Sequence, residues 1–190
     1  NYLAVLDEHF LQGTKIHSGN GRVQVIGRSG VDAQAVYHSL STEVESKSSG
    51  WGVGLFSPVQ TKEVKEGRHF ESTPQLVEIG GTSVLISAPQ GSVGFAGIAE
   101  GKTIQISAQN GLYLLNAEQV SEHNTFESQS KGLDKLGSSK SHLKEQLSAT
   151  PVVSQLKGSE SVTLSGGTGV LDLGAAQITA PSLMLQGSQV

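Results

Sequence analysis

The chain contains no cysteine, and this absence excludes disulfide bonds, zinc–thiolate sites and thiol catalysis. Aromatic residues make up only 5% of the chain and apolar residues 36%, below the roughly 45–50% of typical globular proteins. This composition cannot fill a thick globular core. It can fill the narrow core of a repeat protein, in which each turn of the chain contributes a few inward Val, Ile or Leu side chains.

Clustered positive charge and long apolar runs are also lacking. The net charge is −4 at pH 7, which argues against a nucleic-acid-binding surface. No apolar run approaches the roughly 18 residues of a membrane span. We therefore expect no nucleic-acid partner and no membrane span. Because no Met starts the chain and the first residues lie inside a repeat, we interpret the sequence as a segment of a longer protein.

An internal repeat dominates what the sequence does contain. The segment 23–25 (VQV) recurs as 104–106 (IQI), and 83–87 (SVLIS) recurs as 161–165 (SVTLS). The order of the matching segments is kept. Repeats in register indicate stacked units, and because the repeated unit is strand-like, they predict an all-β solenoid.

Charge divides each repeat into two kinds of segment. We predict a single β-solenoid over 1–190, with repeat 1 at about 19–99, repeat 2 at about 100–180 and partial repeats at both ends. Each repeat contains one charged segment, 43–72 in the first and 120–149 in the second. We interpret the two segments as extended excursions from the solenoid wall.

Alternation of apolar and polar residues predicts which side chains face the core, because successive residues of a strand point to opposite faces. The predicted inward set is Val23, Val25, Val84, Ile86, Ile104, Ile106, Val162, Leu164, Leu183 and Leu185. In the second excursion, Leu136, Leu143 and Leu147 have a loosely helical spacing that indicates a short helix between 138 and 147.

Candidate chemistry is sparse. The six histidines are scattered without metal-ligand spacing, which predicts neither a metal site nor a cofactor. Asp7 and Asp32 could approach each other on successive coils, but the sequence shows no row of acidic or aromatic residues along one wall, so we predict no enzyme and no catalytic residue. Trp51 either packs its excursion onto the wall or, with Leu55 and Phe56, forms a binding surface.

Several motifs together resemble those of a known family. They are 11–16 (LQGTKI) followed by 19–25 (GNGRVQV), the Ser-rich entry 45–54 (ESKSSGWGVG), and 130–133 (SKGL) followed by 136–137 (LG). The ordered set resembles the haemagglutinin repeats of filamentous-haemagglutinin-like exoproteins and spans essentially the whole chain.

The resemblance implies a right-handed parallel β-helix and a place in a long secreted fibre on the bacterial cell surface. Such fibres are exported by two-partner secretion, so an outer-membrane secretion partner is implied, together with a receptor or glycan on a target cell. The implied function is a structural shaft for adhesion, or for presenting or delivering a C-terminal toxin as in contact-dependent growth inhibition. The alternative is a β-helix domain that binds or cleaves polysaccharide.

Overall fold

The chain is built of β-strands. The computed structural model describes the backbone of residues 1–54, 57–132 and 139–190. It describes the side chains of residues 1–43, 45, 67–126 and 142–190. In chain order, the strands are β1 (Tyr2–Gln12), β2 (Lys15–Gln34), β3 (Val36–Gly54), β4 (Ser57–Gln75), β5 (Val77–Ala88), β6 (Ser92–Phe95), β7 (Gly97–Ala108), β8 (Leu112–Leu114), β9 (Ala117–Gly132), β10 (Ser139–Val152), β11 (Gln155–Ser165), β12 (Leu171–Asp172), β13 (Gln177–Thr179) and β14 (Ser182–Gln186). No helix occurs among the described residues, and the all-β prediction is confirmed.

A curled parallel sheet organises the first of two compact units, which comprises Asn1–Tyr37, Pro74–Glu118 and Pro151–Val190. Its strand order is β12-β8-β6-β2-β5-β7-β11-β13, with β1 paired to β2 and β14 paired to β11. Strands far apart in the sequence are neighbours in this sheet. Residues that are remote along the chain therefore share one register position.

The apolar residues of the repeat form buried columns across this sheet. Val23, Val84, Ile104 and Val162 are register partners on successive strands, and each is at most 1% exposed. A second column places Val25, Ile86, Ile106 and Leu164 in the same way: these residues are also at most 1% exposed. Eight of the ten predicted inward side chains are thus in the core, as alternation predicts.

The last two members of the predicted inward set are not buried. Leu183 and Leu185 continue the two columns on β14 but are 48% and 37% exposed. Strand β14 pairs with β11 on one side, and no described strand pairs with its other edge. The side chains on β14 therefore have apolar neighbours on one side only, and their predicted burial is wrong.

Steps between paired strands that the second unit does not interrupt take 19 to 22 residues, and the step from β5 to β7 takes 20. The hydroxyl groups of Ser83 and Thr103 are 3.1 Å apart, and those of Ser87 and Ser107 are 3.2 Å apart, each pair separated by this interval. The outward polar residues of β5 thus stack on those of β7 while the apolar columns fill the inner face. The same 20-residue step therefore aligns the outward polar residues and the inward apolar residues of β5 and β7.

Close approach of backbones makes glycine necessary between the two halves of β7. A Cβ atom added at Gly101 would lie only 2.6 Å from the carbonyl oxygen of Gly81. A side chain cannot occupy that space without moving the backbone of the neighbouring strand. At Gly19, by contrast, an added Cβ would meet nothing within 4 Å.

A buried serine joins three segments inside the first unit. Ser154 is completely buried, and its hydroxyl oxygen accepts a hydrogen bond from the backbone N–H of Gly97 at 3.1 Å. The same hydroxyl lies 2.7 Å from the carbonyl oxygen of Leu115 and 3.1 Å from that of Phe95. Ser154 thereby satisfies backbone groups that have no access to water.

The second unit comprises His38–Thr73 and Gln119–Thr150, which include both charged segments, 43–72 and 120–149. Its strands form a four-stranded sheet in the order β10-β9-β4-β3, with β4 antiparallel to β9. The helix expected between 138 and 147 is wrong, because residues 139–152 form β10. None of the described side chains of this unit is buried.

Candidate functional site

The predicted binding surface is only partly described. Trp51 belongs to β3, but its side chain is outside the described set, and Leu55 and Phe56 lie outside the described residues altogether. The binding surface stays a prediction. The structure does separate the two carboxylates considered for catalysis: Asp7 lies 3.8 Å from Arg28, and Asp32 is the register partner of a different residue of β1.

A mixed column of side chains crosses the outward face of the first unit. One register position on the successive strands β1, β2, β6, β8 and β12 is occupied by Phe10, Asp32, Gly94, Tyr113 and Asp172, which we call the outer column. No row of acidic or aromatic residues is evident in the sequence. The parallel register assembles one from residues that are up to 162 positions apart.

Alternation along each strand turns the outer column away from the core. The residue before each member belongs to an inward column made of His9, Val31, Val93, Leu112 and Leu171. These five residues are buried, with exposures of 7% or less. Phe10 and Tyr113, by contrast, are 69% and 37% exposed. Two aromatic rings are therefore held at the surface by strands that are anchored through their opposite faces.

A groove lies along part of the outer column. Its volume is about 400 Å³, and its walls include Glu8, Phe10, Asp32, Gln90, Gly94 and Asn110. A Cβ atom added at Gly94 would lie 3.4 Å from Oδ1 of Asp32. The same Cβ would lie 3.4 Å from Cδ1 of Leu115, so Gly94 sits between the side chains of Asp32 and Leu115.

Hydrogen bonds hold the polar groups of the groove in place. The side-chain amide of Gln34 donates to Oδ2 of Asp32 at 2.7 Å, and that of Asn110 donates to the carbonyl oxygen of Gln90 at 3.0 Å. The ring of Tyr113 packs over Gly111, where an added Cβ would lie 2.9 Å from the Tyr113 hydroxyl oxygen. These contacts restrict the side chains before any ligand arrives.

A histidine beneath the groove breaks the pattern of the inward column. His9 is 7% exposed, and its Nε2 has no hydrogen-bond partner within the described part of the chain. The other residues at this register position are Val and Leu. His9 also lines the groove, but its Nε2 is buried from solvent. The predicted inward set contains no member of this column, so neither His9 nor its apolar neighbours were expected in the core.

A second cluster occupies the sheet of the second unit. His69 and His123 are register partners on β4 and β9, and their rings meet edge to face with centroids 5.8 Å apart. Nε2 of His69 lies 3.9 Å from the carboxylate of Glu71, and Nε2 of His123 lies 3.2 Å from the hydroxyl of Thr125. Among the residues with described positions, no group of three or more His, Cys, Asp or Glu side chains is placed to hold a metal ion.

Similarity adds nothing to this geometry: no protein-family model matches the sequence, and no curated protein or solved structure matches the chain. Within the described residues, no helix has the length and apolar character needed to cross a membrane. The outer column and the groove beside it are the features of the first unit that combine exposed aromatic rings with fixed polar groups.

Proposed function

We propose that the chain is part of a right-handed parallel β-helix of the kind found in filamentous-haemagglutinin-like exoproteins. The observation that carries the proposal is the stacking of repeat positions in parallel register, with Ile104 between Val84 and Val162. Parallel strands with buried apolar columns and uninterrupted steps of 19 to 22 residues are what successive coils of a solenoid require.

The function that follows is structural. The chain serves as a shaft of a secreted fibre on the bacterial surface, used for adhesion or for presenting or delivering a C-terminal toxin to neighbouring cells. An outer-membrane secretion partner exports the fibre, and a target-cell receptor or glycan is its binding partner. A ladder of parallel strands suits this role, because backbone hydrogen bonds along the axis resist extension and leave few sites for proteases.

Two experiments test the proposal at different levels. A crystal structure of the chain should show right-handed coils about 4.8 Å apart in the first unit. An antiparallel sandwich or a left-handed coil would refute the β-helix. Antibodies raised against the chain should label intact cells of the source bacterium, with a cytoplasmic protein as the negative control. Labelling that requires permeabilised cells would refute the surface location.

Non-enzymatic function is also part of the proposal. The purified chain should show no turnover on glycans, esters or peptides. Release of soluble products from any of these substrates, abolished by substitution of a groove carboxylate such as Asp32, would refute it.

A further inference from the structure

We propose that the outer column binds a neutral polysaccharide laid across the strands of the first unit. This inference goes beyond the shaft function, since it assigns a ligand-binding site to the wall of the sheet. It needs the parallel register of β1, β2, β6 and β8 but not the secretion or the assembly of a fibre.

The spacing of the column suits an extended glycan. Neighbouring strands lie roughly 4.8 Å apart, so the strands of Phe10 and Tyr113, three steps apart, are separated by about 14 Å. One strand step is close to the length of one unit in a β-linked sugar chain. A glycan running across the strands would therefore place about one sugar on each strand, with an aromatic ring near each end of the site.

The chemistry of the column suits sugars as well. Aromatic faces pack against the apolar C–H faces of pyranose rings, which is the contact that the exposed rings of Phe10 and Tyr113 can offer. Carboxylate and amide groups bond to sugar hydroxyls, and Asp32, held by Gln34, lies between the two rings in the column. Gly94 adds no side chain to the groove wall, which keeps the groove of about 400 Å³ open beside Asp32.

Charge narrows the class of ligand. Glu8 and Asp32 line the groove, and Asp172 ends the column, while no Lys or Arg is among the described residues that line the groove. Acidic walls repel polyanions such as uronic-acid polymers, sulfated glycans and nucleic acids. A neutral polysaccharide meets no such repulsion.

A bound peptide strand fits the site less well. Peptides that extend a sheet pair with the unpaired backbone of an edge strand. The outer column instead crosses the face of the sheet, where β2, β6 and β8 are already paired with each other or with β12. Side chains, not backbone groups, are what this surface presents.

Calorimetric titration of the full chain tests the inference, with cellohexaose as the neutral probe and hexagalacturonic acid as the anionic one. We expect saturable binding of cellohexaose and no detectable binding of hexagalacturonic acid at the same concentration. Absence of cellohexaose binding, or tighter binding of the anionic probe, would overturn the proposal.

Variants locate the site. Phe10→Ala and Tyr113→Ala should each weaken binding of cellohexaose roughly tenfold, because each removes one stacking face. Gly94→Gln should abolish binding, since its side chain fills the groove and meets only side-chain atoms at its Cβ. The control is Tyr2→Ala, which removes an exposed aromatic ring from β1 in a different column, over Val23. Equal losses in the control and in Phe10→Ala would place the binding elsewhere.

Failure of this inference is distinguishable from failure of the shaft function. Far-UV circular dichroism of each variant reports whether the β-structure is retained, so a loss of binding with an unchanged spectrum is attributed to the site. If even the alanine variants lose β-structure, binding of cellohexaose by the unmodified chain, competed by a second neutral glycan but not by hexagalacturonic acid, still decides the ligand class. Shorter oligosaccharides formed from cellohexaose during the titration would show hydrolysis and would overturn the proposal that the site only binds.

Discussion

Truncation of Ile104 provides a quantitative test of the register. Ile104 is 1% exposed and lies between Val84 and Val162 in the buried column. Ile104→Ala removes three buried carbon atoms, which at about 0.8 kcal/mol each amounts to roughly 2.4 kcal/mol. The backbone ladders on both sides prevent the column from collapsing, so the cavity adds to this cost and the expected loss is about 2–5 kcal/mol.

Urea unfolding followed by far-UV circular dichroism measures the change in the free energy of unfolding. The matched control is Gln105→Ala, one residue further along β7, where the side chain is exposed and the expected change is within about 0.5 kcal/mol. Replacing the same two residues by Asp should widen the difference, because Ile104→Asp places an unpaired carboxylate between apolar side chains. Equal effects at the two positions would mean that the inward and outward faces have been exchanged.

Three further predictions concern the backbone, a buried hydroxyl and the second excursion. Gly101→Ala should cost about 1–3 kcal/mol through its clash with a neighbouring carbonyl, whereas Gly19→Ala, which meets nothing, should be neutral or slightly stabilising in the same urea assay. Ser154→Ala should cost about 1–3 kcal/mol by leaving buried backbone groups unsatisfied, and exposed Ser159→Ala should cost almost nothing; equal costs would refute the role of the buried hydroxyl. Replacing 122–148 with a short Gly-Ser linker should preserve the far-UV spectrum expected of the first unit, because none of the described side chains in this segment belongs to the hydrophobic core; collapse of the β-signal would contradict this.

Alternation was sufficient to predict most of the core, since the side chains of a strand change faces at every residue. Val23 and Val25 are predicted inward and are completely buried, while Gln24 between them is not. Alternation does not predict how many neighbouring strands cover a given strand, and this number decides whether its inward side chains are buried. Leu183 and Leu185 follow the same pattern but stay exposed, because β14 pairs with β11 and no other described strand covers its second edge.

The incorrect helix has an equally simple cause. Leu143 and Leu147 are four residues apart, and this interval places two side chains on one face of a helix and also on one face of a strand. Local spacing therefore could not choose between the two structures. Pairing of β10 with β9 in the four-stranded sheet decides the outcome.

The outer column was beyond the reach of sequence inspection for a different reason. Asp32 and Gly94 are register partners although residues 38–73 lie between them in the chain and belong to the second unit. Only the pairing of strands reveals that Phe10, Asp32 and Tyr113 share one line on the surface. Neither Phe10 nor Tyr113 lies beside a residue of the predicted inward set, so alternation gave no signal for this column.

In a sheet of similar strands, a specific binding site must lie where the side chains differ from one strand to the next. The inward columns are uniformly apolar apart from His9, as stacking demands, and uniform surfaces cannot distinguish ligands. Side chains that differ from strand to strand occur in the outer column and in the two excursions, the first of which contains Trp51. Binding of cellohexaose should therefore survive Trp51→Ala but be weakened by Phe10→Ala, whereas binding to a cell-surface receptor through the excursion should show the opposite dependence. The two sites can thus be assigned separately by exchanging one aromatic side chain at a time.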